Sequence, residues 1–128
     1  MTEIFLVALG GAIGAVLRYL TGLAALKLFH GSSVYTGTLF ANVIGCFLAG
    51  VLLSLFSLSE TTSDSVALFL TVGILGSYTT FSTFALESGK LLSGPVFKLL
   101  HYLFWQIAAA FGAVVAGYEL IRFVMGAA

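Results

Sequence analysis

Long stretches without a charged residue dominate this chain and restrict what it can fold into. Only 8% of its 128 residues are charged, while 60% are hydrophobic; about a quarter of the residues in a soluble domain are charged. A soluble globule of this size has too much surface to cover with so few polar side chains. We therefore predict an all-α protein that lies in lipid.

Four of these stretches are long enough to cross a bilayer, which takes about 20 apolar residues in a helix. The predicted spans are residues 4–29, 34–57, 65–88 and 95–124, and the turns between them are short. Because the turns leave no room for another folded unit, residues 1–128 are predicted to form a single four-helix transmembrane domain.

The charge balance and the residue inventory exclude several functions. Five basic residues balance five acidic ones, so no basic face is available to bind nucleic acid. The single cysteine, Cys46, cannot form an intrachain disulfide, and the sequence has no His/Cys cluster with metal-ligand spacing. No nucleophile with an adjacent base can be assembled, so we do not expect an enzyme.

The loops give only a weak preference for one orientation in the membrane. Lys27, Lys90 and Lys98 fall on one side of a four-span arrangement, against Arg122 on the other. Under the positive-inside rule this near balance predicts a chain that can insert in both orientations. Small residues four apart, such as Gly10 and Gly14, predict close helix packing within one chain or between chains.

Two polar residues stand out in the second span. Thr38 and Asn42 are four residues apart and share a helix face, and Asn42 lies well inside the bilayer. The Asn42 amide offers two N–H donors, which suit an anion. An interhelical hydrogen bond that holds the bundle together would explain the same residue.

The third span contains an unfavourable stretch for a regular helix. Gly73 and Gly76 are followed by hydroxyl and β-branched residues, so we predict a break there. Carbonyl groups released at such a break could bind a small cation, provided that the break faces protein or a cavity. A simple kink, with Ser and Thr side chains bonded back to the helix, is the alternative.

Aromatic residues follow the predicted break. Phe81 and Phe84 are neighbours on one face, with Ser82 and Thr83 on the adjoining faces. Phenylalanine usually packs or contacts lipid, but the positive edge of its ring can also attract a desolvated anion.

Few other polar residues enter the spans. Arg18 could reach a vestibule or snorkel to the interface, and it could equally form an ion pair with Glu87. Tyr102 and Gln106 are four apart on one face of the fourth span. The stretch 107–117 after them has no hydroxyl residue.

Three segments in order resemble the Fluc (CrcB) fluoride channels, and the likeness extends over essentially the whole chain. They are GAIGAVLRY at 11–19, GTLFANVIG at 37–45 and GILGSYTTFSTF at 73–84. The resemblance implies an antiparallel, dual-topology homodimer with a broken third helix and two fluoride pores, in the cytoplasmic membrane of a bacterium.

The resemblance also implies roles for individual residues. Backbone carbonyls of Gly76 and Thr79 would hold a structural sodium ion at the dimer interface, and Arg18 and Glu87 would lie at a vestibule. The fluoride path would be lined by Asn42, Phe81, Phe84, Thr38, Ser82, Thr83 and Tyr102. The family's fourth helix often continues a hydroxyl track, which this chain lacks after Gln106.

The sequence thus predicts a passive fluoride-selective channel that lets fluoride leave the cell and so reduces its toxicity. Neutral coordination at several sites would allow a dehydrated ion to enter and to leave. The alternative is a small multidrug-type proton-coupled antiporter, which depends on a carboxylate in the middle of the first helix. The first span here offers only Glu3, at its edge.

Overall fold

A computed structural model describes residues 1–58 and 63–126, and every element in those ranges is helical. The elements are α1 (Thr2–Leu28), α2 (Gly37–Leu58), α3 (Asp64–Leu68), a π-helical segment (Phe69–Leu75), α4 (Gly76–Tyr78), α5 (Phe81–Leu91) and α6 (Val96–Val124). Together they give four helical stretches long and apolar enough to cross a membrane, the third being Asp64–Leu91. The predicted all-helical fold with four such stretches is confirmed.

The third stretch departs from α-helical geometry at two places along its length. After one turn of α-helix, the wider π-helical turns run from Phe69 to Leu75. Thr79 (φ −82°, ψ 159°) and Thr80 (φ −152°, ψ 124°) then adopt extended backbone between α4 and α5. The Thr80 hydroxyl accepts a hydrogen bond from the Thr83 N–H, so it caps the start of α5 in the manner expected of a threonine.

Glycines allow α1 to lie directly against the π-helical segment. A methyl group on Gly10 would lie 2.7 Å from the Phe69 carbonyl oxygen, and one on Gly14 would overlap the Ile74 carbonyl. Packing at this distance replaces hydrophobic burial as the source of attraction between helices in lipid. This pair of small residues therefore serves packing within the chain.

Helices α2 and α6 approach each other by the same means. Gly50 lies against the backbone of Val114, and Gly117 against that of Phe47, with no room for a methyl group at either position. Gly112, on another face of α6, has no atom within 4 Å of where its Cβ would be. The α2–α6 contact forms the tightest part of the bundle and holds the polar side chains described next.

Candidate functional site

Hydrogen-bonded polar side chains form a continuous chain between α2, α5 and α6, which we call the polar track. Its members come from the start of α2, the extended Thr79–Thr80 segment, the middle of α5 and the first half of α6. They are Thr36, Thr38, Asn42, Thr80, Glu87, Tyr102 and Gln106. A polar chain of this length inside an apolar bundle is a candidate route for a polar solute.

Glu87 stands at one end of the polar track and accepts three hydroxyl hydrogen bonds. Thr36 donates to its Oε2 at 2.8 Å and Thr38 donates to its Oε1 at 2.8 Å. The Tyr102 hydroxyl donates to Oε2 at 2.6 Å. Short hydrogen bonds to both oxygens compensate a carboxylate for the water it loses in this half-buried position.

Asn42 lies at the other end of the polar track and forms two hydrogen bonds with the backbone of Thr80. Its Oδ1 accepts from the Thr80 N–H at 2.9 Å, and its Nδ2 donates to the Thr80 carbonyl at 3.1 Å. The same Nδ2 lies 3.4 Å from Oε1 of Gln106, whose Nε2 donates to the Tyr102 hydroxyl at 2.9 Å. The interhelical bond expected of Asn42 is therefore present, and it joins the asparagine to the rest of the polar track.

Hydroxyl groups continue from the Asn42 end into the first turn of α5. The Thr80 hydroxyl donates to Thr83 Oγ1 at 3.1 Å and is 3.2 Å from Ser82 Oγ. Thr83 is half-buried, whereas Ser82 is exposed at the protein surface. Both predicted hydroxyl positions thus connect to the polar track through Thr80.

The two phenylalanines lie beside the polar track rather than within it. Their ring centroids are 5.5 Å apart, and the Phe84 ring stacks on Tyr102 at 5.9 Å. Phe81 is 79% exposed. Both rings line a groove of about 770 Å³ on the side of the bundle, with Asn42 and Gln106 also in its wall. The two aromatic rings and the two amide side chains therefore line the same groove.

Arg18 and Glu87 line a second cavity, of about 520 Å³, which runs beside the polar track and also reaches Thr80. Among the described residues they do not pair with each other: Glu87 is held by hydroxyl groups, and Arg18 Nη1 donates to the Thr79 carbonyl at 3.4 Å. Thr38 and Thr83 also face this cavity. The ion pair between Arg18 and Glu87 that was considered from the sequence is therefore not formed. A vestibule lined by both residues is consistent with the cavity.

The extended segment also alters the bonding of nearby carbonyl groups. In a continuous helix the Thr80 N–H would bond to the Gly76 carbonyl, but here it donates to Asn42 instead. Gly76 and Thr79 both line the 770 Å³ groove. Released carbonyl oxygens of this kind are suitable ligands for a small hard cation.

Sequence reasoning identified most members of the polar track but missed the contacts made by two of them, Thr36 and Thr80. Thr36 precedes α2 and contacts Glu87, and Thr80 contacts Asn42 through its backbone. Thr36 lies near the start of the predicted span 34–57, and its hydroxyl group was the only available signal. For Thr80, the contact depends on tertiary packing that no local pattern encodes.

Comparisons with known proteins assign the chain to a family. Residues 5–118 match the family described as "CrcB-like protein, Camphor Resistance (CrcB)". A protein of Nitrobacter winogradskyi is 39% identical over 96% of this chain and 98% of its own length, and one of Chloroflexus aurantiacus is 42% identical over 98% and 100%. Both relatives are named fluoride-specific ion channel FluC. With a family match over most of its length and relatives this similar, the chain belongs to the CrcB family.

Proposed function

We propose that this protein is a passive fluoride-selective channel. The observation that carries the proposal is the polar track, in which Asn42, Gln106 and Tyr102 join the extended Thr79–Thr80 segment to Glu87. Relatives similar over nearly their full length are named fluoride-specific ion channels. The family membership also supports a transport protein rather than an enzyme.

Fluoride is small and strongly hydrated, so a narrow path must replace its water with other donors. The Asn42 amide and the hydroxyl groups of Ser82 and Thr83 supply N–H and O–H groups. The hydroxyls of Thr38 and Tyr102 donate to Glu87 in this structure and would turn from it to the ion. The positive edges of Phe81 and Phe84 add weaker attraction beside them. Uncharged donors at several successive sites bind the ion without trapping it, as conduction requires.

The working unit is an antiparallel homodimer with a broken third helix and two pores. Extended backbone at membrane depth cannot face lipid, because its polar groups would lose their partners. The groove beside Thr79 opens sideways and is lined largely by apolar residues. A second copy seated against it would cover both the exposed Phe81 ring and the interrupted backbone.

A structural sodium ion at this interface is part of the proposal. The Gly76 and Thr79 carbonyls of one copy supply two oxygen ligands, and the same pair from a second copy would complete four. Arg18 already donates to the Thr79 carbonyl, but a carbonyl oxygen has a second lone pair to offer. The ion would neutralise the carbonyl dipoles and tie the two copies together.

Four apolar helices fit a multi-pass membrane protein, and the proposed location is the cytoplasmic membrane of a bacterium. There the channel would let accumulated fluoride leave down its gradient. No observation favours the proton-coupled antiporter: Glu3 at the edge of α1 is that helix's one acidic residue.

Purified protein in liposomes loaded with fluoride provides the direct test. We expect rapid fluoride efflux once the electrical potential is released by a potassium ionophore, and little efflux from matched liposomes loaded with chloride. Fluoride efflux no faster than from protein-free liposomes would refute the proposal. Equal rates for the two anions would refute selectivity alone.

A further inference from the structure

The hydrogen bonds in the middle of the polar track all point toward Glu87. The Tyr102 hydroxyl donates its single proton to Oε2 of Glu87, at 2.6 Å. The Tyr102 oxygen can then only accept from its other neighbour. Gln106 accordingly presents its NH₂ end to Tyr102, at 2.9 Å.

The opposite end of the Gln106 amide faces Asn42. Oε1 of Gln106 lies 3.4 Å from Nδ2 of Asn42, and Oδ1 of Asn42 faces the Thr80 N–H. A reversed Gln106 amide would set two NH₂ groups against each other and two oxygens against each other. Gln106 is only 5% exposed, so water has little access to relieve such a conflict.

We propose that Gln106 is a positioning residue that carries the hydrogen-bond direction set by Glu87 to the Asn42 amide. Thr80 fixes which end of the Asn42 amide is the donor, and Gln106 presents an acceptor rather than a second donor to that end. Both amides line the groove. This inference rests on the proposed function, since the direction matters only if the polar track serves an anion.

Two substitutions separate a role of Gln106 in setting the direction of the hydrogen bonds from a role in filling space. Gln106→Met keeps the length of the side chain but removes both its donor and its acceptor. Gln106→Glu keeps the shape, and its protonated form has one O–H donor and one carbonyl acceptor, the same pattern as glutamine. Its ionised form has two acceptors and cannot donate to Tyr102.

Other titratable groups share this region and could contribute to a pH effect. Tyr102 faces position 106 from the same helix, Glu87 lies beyond Tyr102 on α5, and Cys46 of α2 lines the same groove. All three residues are present in the parent and in both variants. Dividing each variant's flux by the parent's flux at the same pH therefore removes their contribution.

The experiment measures fluoride efflux from liposomes for the full-length parent and both variants between about pH 5 and 9, a range in which a buried glutamate can change its protonation. Efflux from protein-free liposomes is subtracted, because undissociated HF crosses lipid unaided. Size-exclusion chromatography checks that each variant is well folded.

We expect Gln106→Met to lose at least about tenfold of the parent's flux at every pH, consistent with the loss of buried hydrogen bonds. Gln106→Glu should regain parent-like flux at the acid end and fall toward the Met variant as pH rises. A Met variant that conducts like the parent, a Glu variant as inactive in acid as the Met variant, or two variants that both fail to fold would each overturn the proposal. An inactive parent would instead refute the channel function itself.

Discussion

At the scale of single residues, Asn42 combines two tasks that usually fall to different side chains. It bonds to the N–H and the carbonyl of Thr80 in the extended segment between α4 and α5, and its Nδ2 also donates to Gln106. A substitution here changes the fold and the pathway together. Only variants that keep the size of the side chain can separate the two effects.

Asn42→Asp keeps that size and should abolish fluoride flux. The new carboxylate would face the Thr80 carbonyl and Oε1 of Gln106 without a proton to donate, and its charge would repel the anion. Liposome efflux measures the loss, and size-exclusion chromatography measures assembly. Cys46→Ala, one turn further along the same helix, is the matched control and should conduct like the parent. Normal flux through Asn42→Asp would contradict a role for the amide donors.

Phe81→Ile and Phe84→Ile test the aromatic edges. Each substitution keeps much of the apolar volume and should cost less than about 1.5 kcal/mol of stability. Phe84 also stacks on Tyr102, so its replacement should reduce flux more than that of the exposed Phe81. The measurement is fluoride efflux from variants matched for dimer content. Parent-like flux in both would leave conduction to the amide and hydroxyl groups alone.

At the scale of helices, the sequence predicted the four membrane-crossing stretches better than it predicted the backbone geometry within them. Charged residues are excluded from the hydrocarbon region, so charge-free windows marked the four helical stretches. Thr38, Asn42 and Tyr102 could be named because polar residues stand out in apolar windows. The π-helical turns at Phe69–Leu75 were not predicted; they pack against Gly10 and Gly14 of α1, and a contact between residues this far apart in the chain leaves no local sequence pattern.

The contact between α2 and α6 makes a prediction about stability. Gly50→Ala would place a methyl group against the Val114 carbonyl, which should destabilise the fold by about 1–3 kcal/mol. Gly112→Ala, which meets no atom within 4 Å and replaces a glycine inside a helix, is the matched control and should not destabilise the chain. Thermal unfolding in detergent compares the two. Equal melting temperatures would show that the helices can separate without cost.

At the scale of the whole molecule, the proposed assembly requires chains in both orientations. Ser63 precedes α3 in the loop between the second and third stretches, so a cysteine placed there reports which side this loop occupies. With Cys46 replaced, an impermeant thiol reagent should label about half of the molecules in intact cells, given the weak charge bias. Complete labelling, or none, would contradict dual topology.

Sodium removal tests the interface independently of orientation. If carbonyls of Gly76 and Thr79 from two copies surround the ion, long exchange into a sodium-free medium should weaken fluoride flux and dimer stability together. Potassium, which is larger, should restore both poorly. Unchanged flux and dimer content after exhaustive exchange would argue against a structural ion.

Because of its π-helical turns, we expect the segment Phe69–Leu75 to tolerate length changes less well than most substitutions. Residues of a helix advance by a fixed angle around its axis, and the turns of Phe69–Leu75 already hold more residues than α-helical turns do. Inserting one more residue there would therefore rotate everything that follows relative to α1. Thr79, whose methyl group fills the space left by Gly45, would then turn away from α2. Substitutions in this segment leave the rotational setting intact. Homologous chains should therefore keep the same number of residues here, and position 73 should stay small because a methyl group on Gly73 would lie 3.0 Å from the Gly10 Cα.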